Sequence, residues 1–167
     1  DKIVIRPVTS FLSRARNLGD VNIKGLDIRL LLENSFNSEL KLALSGAYSY
    51  MQALDMTDKE SENYKKQILY TPEHSGSGNL LFSNPWVNIS YTIIASSKRY
   101  YWFQSIPQYE IDGYTDHAVS FSKDIGISNY NFSLQAGIQN ILNKNYEIIK
   151  TYPMPGRSFN VSVKVEL

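Results

Sequence analysis

The sequence predicts an all-β protein, an antiparallel up-and-down barrel that crosses a membrane with its strands. Apolar and polar residues alternate with a period of two along most of the 167 residues, which is typical of strands with one apolar face. Short and long connections between the strands follow each other in turn. The polar sides of the strands carry few charges. Together these three observations favour a membrane barrel.

The alternation predicts eight strands and no core helix. It is clearest at the C-terminus, where the apolar residues are Phe159, Val161, Val163, Val165 and Leu167. The other strands are predicted at the N-terminus and at residues 26–32, 40–50, 79–84, 85–96, 119–125 and 132–139. One exposed turn of helix is expected near residues 57–67, because Thr57 and Glu60 have the spacing of a capping box.

The connections have an asymmetry that a soluble sandwich does not need. Short turns are predicted near residues 34–39, 83–86 and 126–130. Longer polar or aromatic segments are predicted at about 15–21, 53–74, 97–114 and 142–156. Outer-membrane barrels have tight turns at the periplasmic rim and long loops at the extracellular rim. The charged part of the second long segment, residues 53–67, is expected to form a solvated, mobile tip.

The polar sides of the strands indicate which face meets water. The polar residues of 131–139 are Asn, Ser, Gly and Gln, and those of 88–92 are Asn, Ser and Thr, without a charge. Soluble domains normally carry Lys and Glu on such faces, whereas the lumen of a membrane barrel can be neutral and polar. Two alternatives stay open on pattern alone: a soluble, lipocalin-like eight-stranded ligand-binding barrel, and a small self-contained outer-membrane barrel with an adhesive or enzymatic role.

Composition narrows the possible functions. The chain has 17 basic and 16 acidic residues, so no nucleic-acid partner is indicated. There is no cysteine, and the two histidines, His74 and His117, are too few for a three-histidine zinc site. We find no catalytic set and no cofactor motif, and therefore predict neither an enzyme nor a metal or cofactor site. A hydrogen bond at the barrel rim is the expected role of His74.

The candidate ligand-binding residues lie in the long segment at 97–114. They combine aromatic rings with one cation and are Arg99, Tyr100, Tyr101, Trp102, Phe103 and Tyr109. Such a surface suits flat, conjugated or anionic ligands. The same residues would also suit an aromatic belt at the membrane interface.

Five stretches, in order along the chain, resemble the C-terminal strands of the TonB-dependent outer-membrane receptors. They are "NLGDVNIKGLDIRL", "YSYMQAL", "YTPEHS", "GIQNILNKNYE" and "YPMPGRSF". The chain departs from the family pattern at three places. Leu69 stands where the family usually has Pro, Leu142 and Asn143 replace the usual Phe-Asp, and Leu167 replaces a terminal aromatic residue.

The resemblance implies that residues 1–167 are the C-terminal part of the barrel domain, the last eight strands of a roughly twenty-two-stranded plugged barrel. The plug, the TonB box and the earlier strands would lie outside this sequence. Residues 159–167 would close the barrel against its first strand, with the apolar side toward lipid. The implied setting is the outer membrane of a Gram-negative bacterium.

The implied function is energy-coupled import of a scarce nutrient of the siderophore-iron, cobalamin or glycan class. The implied partners are outer-membrane lipid, a nutrient ligand at the extracellular loops, and TonB, which would act through the missing plug.

Overall fold

The computed structural model describes residues 2–9, 12–102 and 106–166. Nine strands of this part have seven residues or more: β1 (Lys2–Thr9), β2 (Leu12–Leu18), β3 (Val21–Ser35), β4 (Lys41–Asp55), β5 (His74–Ser83), β6 (Asn88–Ser96), β9 (Tyr114–Ile127), β10 (Tyr130–Gln139) and β13 (Ser158–Glu166). Four shorter strands lie within the long connections: β7 (Arg99–Tyr100), β8 (Glu110–Ile111), β11 (Glu147–Ile149) and β12 (Tyr152–Pro153).

Seven of the long strands form one sheet in the order β13-β10-β9-β6-β5-β4-β3. Each pair of neighbours is antiparallel, and neighbouring long strands follow each other along the chain. This is the predicted up-and-down topology, and β3 and β13 are the edges of the sheet. Strands β1 and β2 pair with each other as a separate hairpin.

The predicted alternation of short and long connections is confirmed within this sheet. Short turns at residues 36–40, 84–87 and 128–129 lie at one end of the strands, called here the inner rim. Two of these turns are closed by side chains, because Asn37 Oδ1 accepts the Leu40 N–H at 2.7 Å and Asn84 Oδ1 accepts the Trp86 N–H at 2.9 Å. The opposite end, the outer rim, carries the first (56–73), second (97–113) and third (140–157) outer connections.

Two local predictions are wrong. The long segment expected at 15–21 is a connection of residues 19–20 only, because β2 continues to Leu18. This strand also adds to the eight that were expected, and its sequence, "LSRARNL", lacks an apolar face that alternation could reveal. Residues 57–67 form successive turns instead of a turn of helix: the Ser61 N–H bonds to the Asp58 carbonyl and the Tyr64 N–H to the Ser61 carbonyl.

Within the described residues, the helical structure is a three-residue 3-10 turn at Pro107–Tyr109. None of the helical segments described is long and apolar enough to cross a membrane.

The register sorts the side chains of the sheet into an apolar face and a polar face. Residues directly opposite each other in antiparallel strands share a face. One continuous row is apolar and consists of Leu32, Leu44, Leu80, Tyr91, Val119, Ile138 and Phe159. A row on the other face is polar and consists of Ser83, Asn88, Ser122, Gln135 and Ser162.

The apolar face is not sealed inside the protein. Val161 is 79% exposed and Val163 is 61% exposed. The buried hydrophobic residues of the described part are Ala53, at the outer end of β4, and Ile68 and Ile111, in the first and second outer connections. A lipocalin-like soluble barrel would need a dry apolar interior, so this exposed apolar face contradicts that alternative.

Candidate ligand-binding site at the outer rim

The first outer connection folds back onto the end of β4. The Asp55 N–H bonds to the Lys66 carbonyl and the Lys65 N–H to the Asp55 carbonyl. Gln67 then pairs with the same strand, because its Oε1 accepts the Ala53 N–H at 2.8 Å and its Nε2 donates to the Met51 carbonyl at 3.0 Å. The base of the predicted mobile tip is thus tied to β4 by backbone hydrogen bonds and by the Gln67 side chain.

The second outer connection presents a cluster of aromatic rings. The short strands β7 and β8 pair at its base, and the Tyr101 N–H bonds to the Tyr109 carbonyl at 3.0 Å. The rings of Tyr101 and Tyr109 meet edge to face with centroids 5.8 Å apart, and Trp102 lies 6.0 Å from Tyr109. This geometry is favourable for aromatic pairs, so the three rings form one surface, the aromatic surface.

A salt bridge flanks the aromatic surface. Lys98 Nζ lies 2.9 Å from Glu110 Oε2 across the base of the second outer connection. This hydrogen bond raises the pKa of Lys98 above its ordinary value. Because the pair is exposed to solvent, its contribution to stability is small.

Arg99, in β7 of the second outer connection, is buried and only 4% exposed. Its Nη2 donates to the carbonyls of Glu147 at 2.7 Å and Ile148 at 2.9 Å, and its Nε donates to Ile148 at 3.2 Å. The guanidinium carbon also lies 5.6 Å from the ring centroid of Tyr114. Burial lowers the pKa of Arg99, but an arginine remains charged at any physiological pH. Its contacts therefore join the second outer connection to the third.

The third outer connection is tied at its base by Asn140, which is 3% exposed and has a φ of 47°. Its amide nitrogen donates to the carbonyls of Lys144 at 2.9 Å and Pro155 at 3.1 Å, while its oxygen accepts the Lys144 N–H at 2.9 Å. Asn tolerates this left-handed backbone better than most residues. Both donor and acceptor functions of the side chain are therefore used.

A stack of two tyrosines continues this contact toward the sheet. The rings of Tyr114 and Tyr146 are 4.4 Å apart, and the Tyr146 hydroxyl donates to Asp116 Oδ2 at 2.7 Å. Burial, and then the hydrogen bond to Asp116, raise the pKa of Tyr146 far above its ordinary value. Among the described residues, the other oxygen of Asp116 is buried without a hydrogen-bond partner, as is Nη1 of Arg99.

The structure places the predicted site residues in two different environments. Tyr101, Trp102 and Tyr109 form the aromatic surface, and the Tyr100 carbonyl accepts the Tyr70 N–H at 2.8 Å. Arg99 is buried and bonds to main-chain carbonyls of the third outer connection. Phe103 lies outside the described residues. A ligand contact by any of these six residues remains a prediction.

Sequence reasoning missed Lys150. Its ammonium group lies 5.5 Å from the ring centroid of Tyr101 and 3.7 Å from Glu147 Oε2. Lys150 is 49 residues from Tyr101 in the chain, and no local motif links them. The only signal in the sequence was the position of Lys150 in the long segment predicted at 142–156.

The two histidines lie on the apolar face of the sheet, each paired with a tyrosine of the preceding strand. Tyr48 Oη is 2.7 Å from His74 Nδ1, and Tyr91 Oη is 2.6 Å from His117 Nδ1. The expected rim hydrogen bond of His74 is thus present. His117 has the same kind of hydrogen bond, to Tyr91. Near the outer rim, each tyrosine hydroxyl and histidine nitrogen therefore has a hydrogen-bond partner.

Comparisons with known proteins support this architecture. Among curated proteins, none matches the chain significantly in sequence. Eleven chains of solved structures match it. One is described as the crystal structure of BauA, the ferric preacinetobactin receptor from Acinetobacter baumannii. It has 17% sequence identity and a TM-score of 0.65, and the match covers 97% of this chain.

This likeness shows the fold, and the chain spans about a quarter (25%) of the receptor that it matches. A family model described as TonB dependent receptor-like, beta-barrel, matches residues 1–141, which is most of the chain. The matched region contains the whole sheet except β13. The chain therefore belongs to the TonB-dependent receptor-like β-barrel family.

Proposed function

We propose that this chain forms barrel wall and outer rim of an energy-coupled receptor that imports a scarce nutrient across the outer membrane of a Gram-negative bacterium. The observation that carries the proposal is the two-faced sheet with its long connections at one rim. An exposed apolar face suits lipid, and a face rich in hydroxyl and amide groups suits a hydrated lumen.

The nutrient belongs to the siderophore-iron, cobalamin or glycan class, and we favour the iron class. Aromatic rings beside a cation suit an anionic chelate. The similar solved structure is that of a receptor for a ferric ligand, which supports this choice. TonB is proposed to act through a plug encoded outside this sequence. The proposal includes no catalytic step.

A second proposal, a small self-contained barrel with an adhesive or enzymatic role, has less support. The matched family is one of receptors, and the matched solved structure is about four times longer than this chain. No contact in the described residues favours an adhesive or catalytic role.

Growth of a deletion strain tests the function. We expect the strain to lose growth on one nutrient class, ferric chelates, and to recover it with the full-length gene. Uptake should stop when TonB is absent or the proton gradient is collapsed. Unchanged growth on ferric chelates, cobalamin and glycans, or uptake that survives without TonB, would contradict the proposal.

A further inference from the structure

We propose that Lys150 supplies the positive charge of the ligand surface and that Arg99 is the positioning residue that holds Lys150 over the aromatic surface. This inference rests on the proposed function and deepens it by naming an anionic ligand with a flat aromatic or conjugated part. The outer connections contact one another, Arg99 is buried in that contact, and the side chain of Lys150 stays partly exposed.

The three outer connections contact one another through Tyr70. The Tyr70 N–H of the first connection bonds to the Tyr100 carbonyl of the second at 2.8 Å. Burial raises the pKa of Tyr70, and the backbone of Lys150 in the third connection lies close enough to the Tyr70 hydroxyl to oppose this rise. Tyr70, in the first connection, thus lies against both the second and the third connections, and the three connections pack as a single unit.

Arg99 joins the second outer connection to the third. Two of its nitrogens bond to the carbonyls of Glu147 and Ile148, and its third nitrogen is buried inside the packed loops. A ligand that arrives from outside meets little of this side chain, which is 4% exposed. The two carbonyls precede Lys150 by three and two residues. Arg99 therefore fixes the backbone from which the Lys150 side chain extends.

Lys150 carries a positive charge that solvent can reach. The side chain of Lys150 is 41% exposed, and its ammonium group lies over the Tyr101 ring. Tyr101 contacts Tyr109, which contacts Trp102, so the ammonium group of Lys150 lies over the first of three connected rings. An ammonium group attracts carboxylates and phenolates, and the rings accept a flat partner.

Glu147 places a negative charge beside the positive charge of Lys150. Its carboxylate lies 3.7 Å from the ammonium group of Lys150 and partly neutralises it. Removing the negative charge should make the surface more attractive to anions, and removing the positive charge should make it less attractive. A structural role of Lys150 alone would not produce opposite effects.

The experiment uses iodide as an anionic quencher and caesium as a cationic quencher of tryptophan fluorescence in the purified full-length receptor. Subtracting the Trp102→Phe variant isolates the signal of Trp102. We expect Lys150→Gln to lower the ratio of iodide to caesium quenching about twofold and Glu147→Gln to raise it by a similar factor, which is the effect of one charge near the probe in water. Lys150→Arg should keep the ratio.

Lys144→Gln is the matched control. Lys144 belongs to the same outer connection, but its Nζ lies 3.3 Å from Thr115 Oγ1 and contacts no described ring. Its removal should leave the ratio unchanged. An unchanged ratio in Lys150→Gln, or an equal fall in Lys144→Gln, would overturn the role of Lys150.

Arg99 needs a readout of position. In Arg99→Gln we expect the quenching ratio to fall as in Lys150→Gln and trypsin to cleave faster after Lys150, by several-fold. Arg99→Lys, which keeps the charge but makes fewer hydrogen bonds, should behave in the same way if the first variant does not assemble. Unchanged cleavage and quenching would refute the positioning role. Neither result depends on the nutrient, so growth tests of the proposed function fail or succeed independently.

Discussion

The rings of Tyr114 and Tyr146 lie nearly parallel, with centroids 4.4 Å apart and planes at 13°, and join the outer end of β9 to the third outer connection. The hydroxyl of Tyr146 continues this contact to Asp116. Among the described residues, Asp116 Oδ1 has no hydrogen-bond partner. The Tyr146 hydroxyl therefore provides the hydrogen bond that this carboxylate receives, at Oδ2.

Tyr146→Phe should therefore keep the stack and loosen the connection. The lost hydrogen bond leaves a partly buried carboxylate less well satisfied, at a cost of about 1–2 kcal/mol in the local opening free energy. Hydrogen exchange of amides 140–150 in the full-length receptor measures this cost. Tyr152→Phe is the control, because that side chain is 69% exposed. Equal exchange in the two variants would show that the hydrogen bond contributes nothing.

The same hydroxyl predicts behaviour at alkaline pH. The pKa of Tyr146 is raised above the ordinary 10.0, so the folded state holds this proton more tightly than the unfolded chain does. The stabilisation is complete below pH 10 and is lost as the pH rises through the raised pKa. We expect the phenolate absorbance assigned to Tyr146, by difference from Tyr146→Phe, to appear at higher pH than that of free tyrosine. Coincident titrations would contradict this.

Asn140 and Asn143 form a matched pair for substitution by Asp. Asn140 uses its amide both to donate and to accept, whereas Asn143 Oδ1 accepts the Arg157 N–H at 2.9 Å. Asn140→Asp loses the donor and places a carboxylate against two carbonyl groups. We expect it to lower the midpoint of heat-induced unfolding of the receptor, with a cost of about 2 kcal/mol or more.

Asn143→Asp keeps the acceptor and should change the midpoint little. It also restores the residue that the family pattern usually has at this position. The interpretation of these side chains is wrong if Asn143→Asp is the more damaging of the two.

Single cysteines on β13 test which face meets lipid. Val163 lies opposite Leu134, and Ser162 lies opposite Gln135, so the two residues point to different faces. A nitroxide attached at Val163→Cys in a cysteine-free full-length receptor should collide more with oxygen, which dissolves in lipid. A nitroxide at Ser162→Cys should collide more with a water-soluble nickel complex. The opposite pattern would reverse the assignment of the faces.

The two tyrosine–histidine pairs allow a repeated measurement on the apolar face. Tyr48→Phe and Tyr91→Phe each remove one hydrogen bond and leave a histidine nitrogen in apolar surroundings. Each should destabilise the folded receptor by about 1–2 kcal/mol, measured as the urea midpoint in lipid vesicles. Tyr130→Phe is the control, since its hydroxyl forms no hydrogen bond with any residue that the structure describes. If Tyr48→Phe and Tyr91→Phe lower the urea midpoint no more than Tyr130→Phe does, the two hydrogen bonds do not stabilise the receptor.

The strands and their faces were largely predictable because they depend on local order. In 132–139 and 159–167 each second residue is apolar, and β10 and β13 follow directly from that pattern. The pattern failed at β2, where Arg14 and Arg16 occupy alternate positions and hide the strand. Its pairing with β1 is a backbone relation that hydrophobicity does not report.

The candidate site was predictable only in part. The consecutive residues 99–103 marked an aromatic segment, and Tyr101 and Trp102 do lie on the aromatic surface. The same reasoning gave Arg99 a ligand role, although its guanidinium turns inward to the carbonyls of Glu147 and Ile148. A charge beside aromatic residues in a sequence does not reveal whether it points outward.

The amino-acid sequence by itself determined the alternating strands, the apolar and polar sides of the sheet and the segments that connect the strands at each rim, because those properties arise between residues close together in the chain. Only the tertiary structure decided that Arg99 is buried, that Lys150 covers Tyr101 and that Tyr114 stacks on Tyr146. These contacts join residues about 30 to 50 positions apart, and they exist only when packing brings the outer connections together.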